Sequence, residues 1–121
     1  MTTQFIKILL ATFCLFGMNW CLGNFAATCT NIHLQNNILW ASCRKINGAI
    51  NHSGIDLVPI ISNQNGWFSW TPSNYQLTCY TITLNGTTLN AMCKKINQVL
   101  NNTSINLNDR IANIDGVLQL Q

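Results

Sequence analysis

The chain has 121 residues, with six lysines and arginines, three aspartates, no glutamate and a net charge of +3. Charged residues make up only 7% of it, and so slight a net charge does not imply nucleic acid, so no nucleic-acid partner is expected. The same scarcity leaves a thin inventory for acid–base catalysis, and the length sets the expectation of one small domain.

Residues 1–23 read as a signal peptide. Lys7 lies in a polar start, Ile8–Met18 supply an apolar run, and Cys21-Leu22-Gly23 provides a peptidase site that places cleavage before Asn24. The run is interrupted by Asn19 and falls short of the roughly 20 residues a spanning helix needs, so no membrane insertion of the mature chain is expected. The expected location is secreted, either extracellular or periplasmic. Cys14 and Cys21 leave with the leader, and four cysteines remain in an oxidising context.

Next comes CTNIHLQNNILWASC, Cys29 to Cys43, which returns as CYTITLNGTTLNAMC, Cys79 to Cys93. Shifting the sequence by fifty residues aligns 24–71 on 74–121 without a gap, which defines two sequence repeats. Apolar identities such as Ile32/Ile82, Leu39/Leu89, Ala41/Ala91 and Ile61/Ile111 imply a common core. Polar identities, among them Asn51/Asn101 and Asn63/Asn113, require a second reason. Ile32–Leu34, Ile38–Ala41 and Tyr80–Leu84 read as strands separated by Asn, Gly and Ser clusters, an all-β pattern with tight turns. Asn85-Gly86 is the clearest turn, matched by Asn36 in the first copy. In each bracket the cysteines sit equally far from the turn and can face each other across paired strands. Of the three connectivities that four cysteines allow, this geometry selects Cys29 with Cys43 and Cys79 with Cys93. Each bond closes a loop of about 15 residues, worth on the order of 3 kcal/mol.

After each second cysteine, RKINGAINHSGIDL and KKINQVLNNTSINL suggest a short helical turn before the next strand. Asn65-Gly66 and Asp115-Gly116 predict further hairpins leading into Trp67–Trp70 and Val117–Leu120. Between the copies, Thr71-Pro72-Ser73 is too short to let two domains swing freely, and its proline makes it a hinge. A unit of about 50 residues buries little core alone, so the halves are expected to share one or to exchange strands. The chain is then a monomer or, if exchange runs between molecules, a domain-swapped homodimer hinged near Pro72.

Chemistry is sparse along this chain. A glycosidase needs paired carboxylates, yet Asp56, Asp109 and Asp115 align with Asn106, Pro59 and Asn65, so no pair is duplicated. His33 and His52 align with Thr83 and Asn102 and read as single surface residues. With the cysteines committed, neither a metal cluster nor a cofactor is expected. What the chain has in excess is amide, with seventeen asparagines in residues 24–121. Asparagine serves turns, but each amide also offers two donors and an acceptor in one plane. It can meet adjacent sugar hydroxyls without the desolvation cost of a full charge. Asn51-His52-Ser53, Asn85-Gly86-Thr87, Asn101-Asn102-Thr103 and Asn102-Thr103-Ser104 also fit the N-glycosylation pattern, although with so many asparagines chance matches are expected.

From Leu22-Gly23-Asn24-Phe25 to the end, the chain resembles the cyanovirin-N homologue (CVNH) family of lectins. The matching stretches are Asn47-Gly48, Ile55-Asp56-Leu57, Trp70 followed by Pro72-Ser73-Asn74, and above all INLNDRIANIDGVL, residues 105–118. The resemblance implies an elongated, pseudo-two-fold all-β fold in which two tandem repeats intertwine strands. The lectin domain would be 24–121, with one half at 24–59 plus 110–121 and the other at 60–109. It further implies non-catalytic binding of high-mannose glycans or glycoproteins, selective for terminal α1-2-linked mannose. Carried over by position, the site beside the chain termini would use Asn24, Ala27, Thr28, Arg44, Ile46, Asn113, Ile114, Asp115 and Gly116. Arg44 stands where the best-known member has an acid, and Ile46 where it has a threonine. The distal site would use Ser62, Asn63, Asn65, Ser73, Asn74, Leu77, Thr78, Lys94, Lys95, Ile96 and Gln98. There Ser62, Asn65, Leu77 and Ile96 replace carboxylates or arginine with neutral or apolar groups, so two sites of unequal strength are expected. The competing expectation is a secreted protein-interaction or structural module of the same fold, or a lectin for another glycan, marked by exposure of Trp67 and Phe68.

Overall fold

Alternation of buried and outward residues builds the first sheet. In the computed structural model, which describes residues 22–121, β1 (Cys29–Gln35), β2 (Ile38–Arg44) and β3 (Ile50–Asp56) lie antiparallel in chain order. Along β2, Leu39, Ala41 and Cys43 are buried while Trp40 and Ser42 are less so, the period of two expected when one face meets a core. The turn between β1 and β2 is Asn36-Asn37, both at positive φ (51° and 64°), as a two-residue hairpin loop demands and asparagine tolerates. Between Thr30 and His33 the register shifts in a bulge, with Asn31 at φ 54°. The helical turn expected after Cys43 is instead a tight non-helical loop, closed by the Lys45 amide donating to the Ala49 carbonyl at 2.7 Å.

The hairpin β4 (Ser62–Gln64) and β5 (Trp67–Ser69) follows, and the plan then repeats. A second sheet holds β6 (Cys79–Asn85), β7 (Thr88–Lys94) and β8 (Leu100–Asn106), and a last hairpin holds β9 (Ile111–Ile114) and β10 (Val117–Leu120). One expected turn shifts by a residue: Asn85 pairs with Thr88, so the β6–β7 loop is Gly86-Thr87 rather than Asn85-Gly86. Cys29 with Cys43 and Cys79 with Cys93 are both register partners and disulfides.

The hairpins cross over between the copies. β5 packs on β8 and β10 packs on β3, through matched bonds: the Phe68 amide donates to Thr103 Oγ1 and the Leu118 amide to Ser53 Oγ, each at 3.0 Å. Each sequence repeat thus completes the other, and the fully buried Phe25, Leu39, Leu57, Ile61, Tyr75, Leu89, Leu107 and Ile111 form one core drawn from both. Tyr75 sits at the seam. Its hydroxyl donates to Asn37 Oδ1 at 2.7 Å and Phe68 meets its ring edge-on. Burial first, and then the nearby Asp56 charge, push its phenol pKa well above the ordinary value. Most of the expected leader lies outside the described residues. Of its last two positions, Gly23 donates its amide to Gln121 Oε1 at 2.9 Å.

Candidate functional site

The Asp115-Gly116 turn, at φ 49° and 87°, brings the termini-proximal residues together. From β9, the Asn113 amide donates to Thr28 Oγ1 at 2.8 Å and to the Arg44 carbonyl at 2.9 Å. Its oxygen accepts from the Gly116 amide at 2.7 Å. Asp115 Oδ1 accepts from the Ile46 amide at 2.9 Å, and Asn51 Nδ2 donates to the Gly116 carbonyl at 2.7 Å. Four of these bonds clamp the hairpin tip onto the ends of β1, β2 and β3, and the fifth, from Gly116 to Asn113, closes the tip on itself. The disulfide Cys29–Cys43 ties Thr28 and Arg44 to one spot, where the Arg44 amide also donates to the Thr28 carbonyl at 3.0 Å.

The clamp divides the expected ligand contacts into two kinds. Asn113 has both side-chain amide hydrogens and its oxygen committed internally, so it positions the site, and half-buried Asn24 donates its backbone N–H to the Asn108 carbonyl and accepts from Asn108 Nδ2 at its Oδ1. Gly116 is buried. What remains outward is the hydroxyl hydrogen of Thr28, the Asp115 carboxylate oxygen with no partner among the described residues, and the guanidinium of exposed Arg44. Ala27, Ile46 and Ile114 supply an exposed apolar rim, with Ile46 at 91%. A mixed surface of this kind suits a neutral polyhydroxylated ligand with polar edges and apolar C–H faces.

The distal cluster repeats the clamp bond for bond. Asn63 Nδ2 donates to Thr78 Oγ1 and to the Lys94 carbonyl (2.9 and 2.8 Å), while Asn63 Oδ1 accepts from Gly66 (2.7 Å). Asn65 Oδ1 holds the Ile96 amide (2.9 Å), and Asn101 Nδ2 donates to the Gly66 carbonyl (2.8 Å). The outward groups differ. Asn65 offers an amide where Asp115 offers a carboxylate, and exposed Leu77 and Ile96 are apolar. Lys94 Nζ sits 5.6 Å from the centre of the Tyr80 ring, and the Lys95 stem packs beside Gly66. Gln98 folds back toward the Ile96 carbonyl, Ser73 is half-buried, and Asn74 is exposed with its amide on the Val58 carbonyl. Ser62 is 3% exposed, its hydroxyl already bonded to Thr71 and Gln64, so it stands in the wall and not on the contact surface.

Sequence reasoning did not find the clamp partners Asn51, Ser53, Asn101 and Thr103 as site supports, although their recurrence fifty residues apart was the available signal. Nor did it bring the histidines together: His33 and His52 lie 6.3 Å apart, with Trp40 parallel to His52 and laid over Gly54. Among the described residues, no group of three or more His, Cys, Asp and Glu converges as a metal site would require.

The CVNH domain profile matches residues 25–119, a span that holds both clamps. A CVNH protein of Gibberella zeae is 32% identical with a TM-score of 0.76, over 82% of this chain and 98% of that one. A second, from T. borchii, is 31% identical with a TM-score of 0.73, over 81% and 99%. Microvirin, solved in complex with mannobiose, is 26% identical with a TM-score of 0.73, over 83% and 100%. The chain belongs to the CVNH family of lectins and is a carbohydrate-binding protein, not an enzyme.

Proposed function

We propose that the protein is a secreted lectin for mannose-rich glycans, taking terminal α1-2-linked mannose chiefly at the Asp115-Gly116 turn and more weakly at Asn65-Gly66. The observation that carries this is the aimed Asp115 carboxylate. The Ile46 amide fixes one oxygen while Thr28, reached through Asn113, stands beside the same turn. A hydrogen bond to a charged group contributes about 1.5–3 kcal/mol, against about 0.5–1.5 for a neutral one, which separates the two sites in strength. The mannobiose complex of microvirin supports mannose as the sugar class. A glycan array tests it: binding to oligomannose glycans that disappears after α1-2-mannosidase trimming is expected, and binding confined to glycans without mannose overturns the sugar assignment.

Trp67, 59% exposed, favours a second reading in which the same fold also contacts a protein. Phe68 does not join it, because it turns inward against Tyr75. Trp67→Ala reducing capture of a glycoprotein, but not of its free glycan, would support that reading.

A further inference from the structure

We propose that Asn85 and Asn102 are N-glycosylation sites of this protein. The chain carries four matches to the acceptor pattern, and the internal repeat separates those the fold requires from those it does not. Asn51-His52-Ser53 and Asn101-Asn102-Thr103 occupy equivalent positions in the two copies. In both, the asparagine amide holds the carbonyl of a turn glycine and the hydroxyl accepts the amide of a crossing hairpin. The fold therefore accounts for the pattern at 51 and 101 without any modification.

No such account covers the acceptor asparagines of the other two, although the Thr87 hydroxyl donates to Asn106 Oδ1 at 2.8 Å. Asn85 and Thr87 align with Gln35 and Asn37, and Asn102 and Ser104 align with His52 and Gly54, so the same backbone forms without an acceptor pattern there. Both asparagines are exposed, and neither side chain has a hydrogen-bond partner among the described residues. Asn85 ends β6 beside Gly86, around which a Cβ would meet nothing within 4 Å, so the turn is open to a bulky group. Asn102 and Ser104 are exposed on β8 while Thr103 between them is buried, which turns the acceptor and its hydroxyl to the same outer face.

In the transfer, Asn Nδ2 attacks the anomeric carbon of a polyprenyl-pyrophosphate-linked oligosaccharide. The N–C bond forms, the C–O bond to pyrophosphate breaks, one amide proton is lost, and polyprenyl pyrophosphate leaves with the bonding pair. The step takes place in a secretory lumen, which the expected leader would give access to.

The test expresses the full chain in yeast behind its own leader and, in parallel, behind the host's secretion signal. Lumenal and secreted protein is treated with peptide N-glycosidase, which leaves aspartate wherever a glycan was attached. Peptide mass spectra should show aspartate at 85 and 102, and the gel shift on deglycosylation should shrink with Asn85→Gln and again with Asn102→Gln. Recovery of unmodified asparagine at either position behind both signals removes that position, and recovery at both overturns the proposal.

Discussion

Asp115 and Asn65 hold the same place in two matched turns, and each commits one side-chain oxygen to an isoleucine amide. Because Asn65 already satisfies its turn, Asp115→Asn should keep the fold and remove only the charge from the outward oxygen. Affinity for mannobiose at that site is expected to fall about tenfold or more, with the reciprocal Asn65→Asp strengthening the distal site, as calorimetry of each variant would show. Unchanged binding in Asp115→Asn would mean that the carboxylate does not touch sugar. Asn113→Ala acts differently, since it deletes three internal bonds. Urea denaturation should show about 2 kcal/mol of lost stability, with a similar loss for Asn63→Ala. The importance of Asn113 was legible from its identity with Asn63, but its role was not. A turn clamp and a ligand contact ask for the same amide chemistry, and only the bond geometry tells them apart.

At the scale of elements, the hairpin tips carry the site, and their glycines are fixed by contact as well as by dihedral. Gly66 and Gly116 stand at positive φ (89° and 87°), and a Cβ on either would fall 2.8 Å from the Cγ of Lys95 or Lys45. Gly116→Ala should cost about 1–3 kcal/mol, whereas Gly48→Ala, at the same φ of 89° but in open space, should cost less. Equal losses in chemical denaturation would show that the contact with Lys45 adds nothing. These tips, the strands of both brackets and the cysteine pairing were readable from alternation and turn residues. The full span of β3 and of β8 was not. INHSGID and LNNTSIN are largely polar, with a single buried residue each, Ser53 and Thr103, so they lack the apolar alternation that signals a strand. Pairing with β2 or β7 along one edge and packing of a crossing hairpin impose the extended state on them.

Across the whole molecule, the fifty-residue repeat required that the halves share a core or exchange strands, and the structure does both. The repeat could not choose, because apolar identities fix what is buried but not which copy covers it. Tyr75 records the exchange, binding Asn37 of the other copy from within the common core. Its raised phenol pKa gives a signed expectation. Above pH 10, the ordinary phenol value, the unfolded chain has released a proton that the native state keeps, so stability falls as pH rises. Tyr75→Phe should flatten that alkaline slope while lowering neutral-pH stability by about 1 kcal/mol through the unpartnered Asn37 oxygen. An unaltered slope in melts across this range would place the titration elsewhere. The central claim is one framework with two unequal sugar sites, and calorimetric titration of α1-2-linked mannobiose into the wild-type protein tests it most directly. The account predicts one stronger and one weaker binding event, with the stronger reduced in Asp115→Asn. Absence of binding heat, or two equal events indifferent to that substitution, would contradict it.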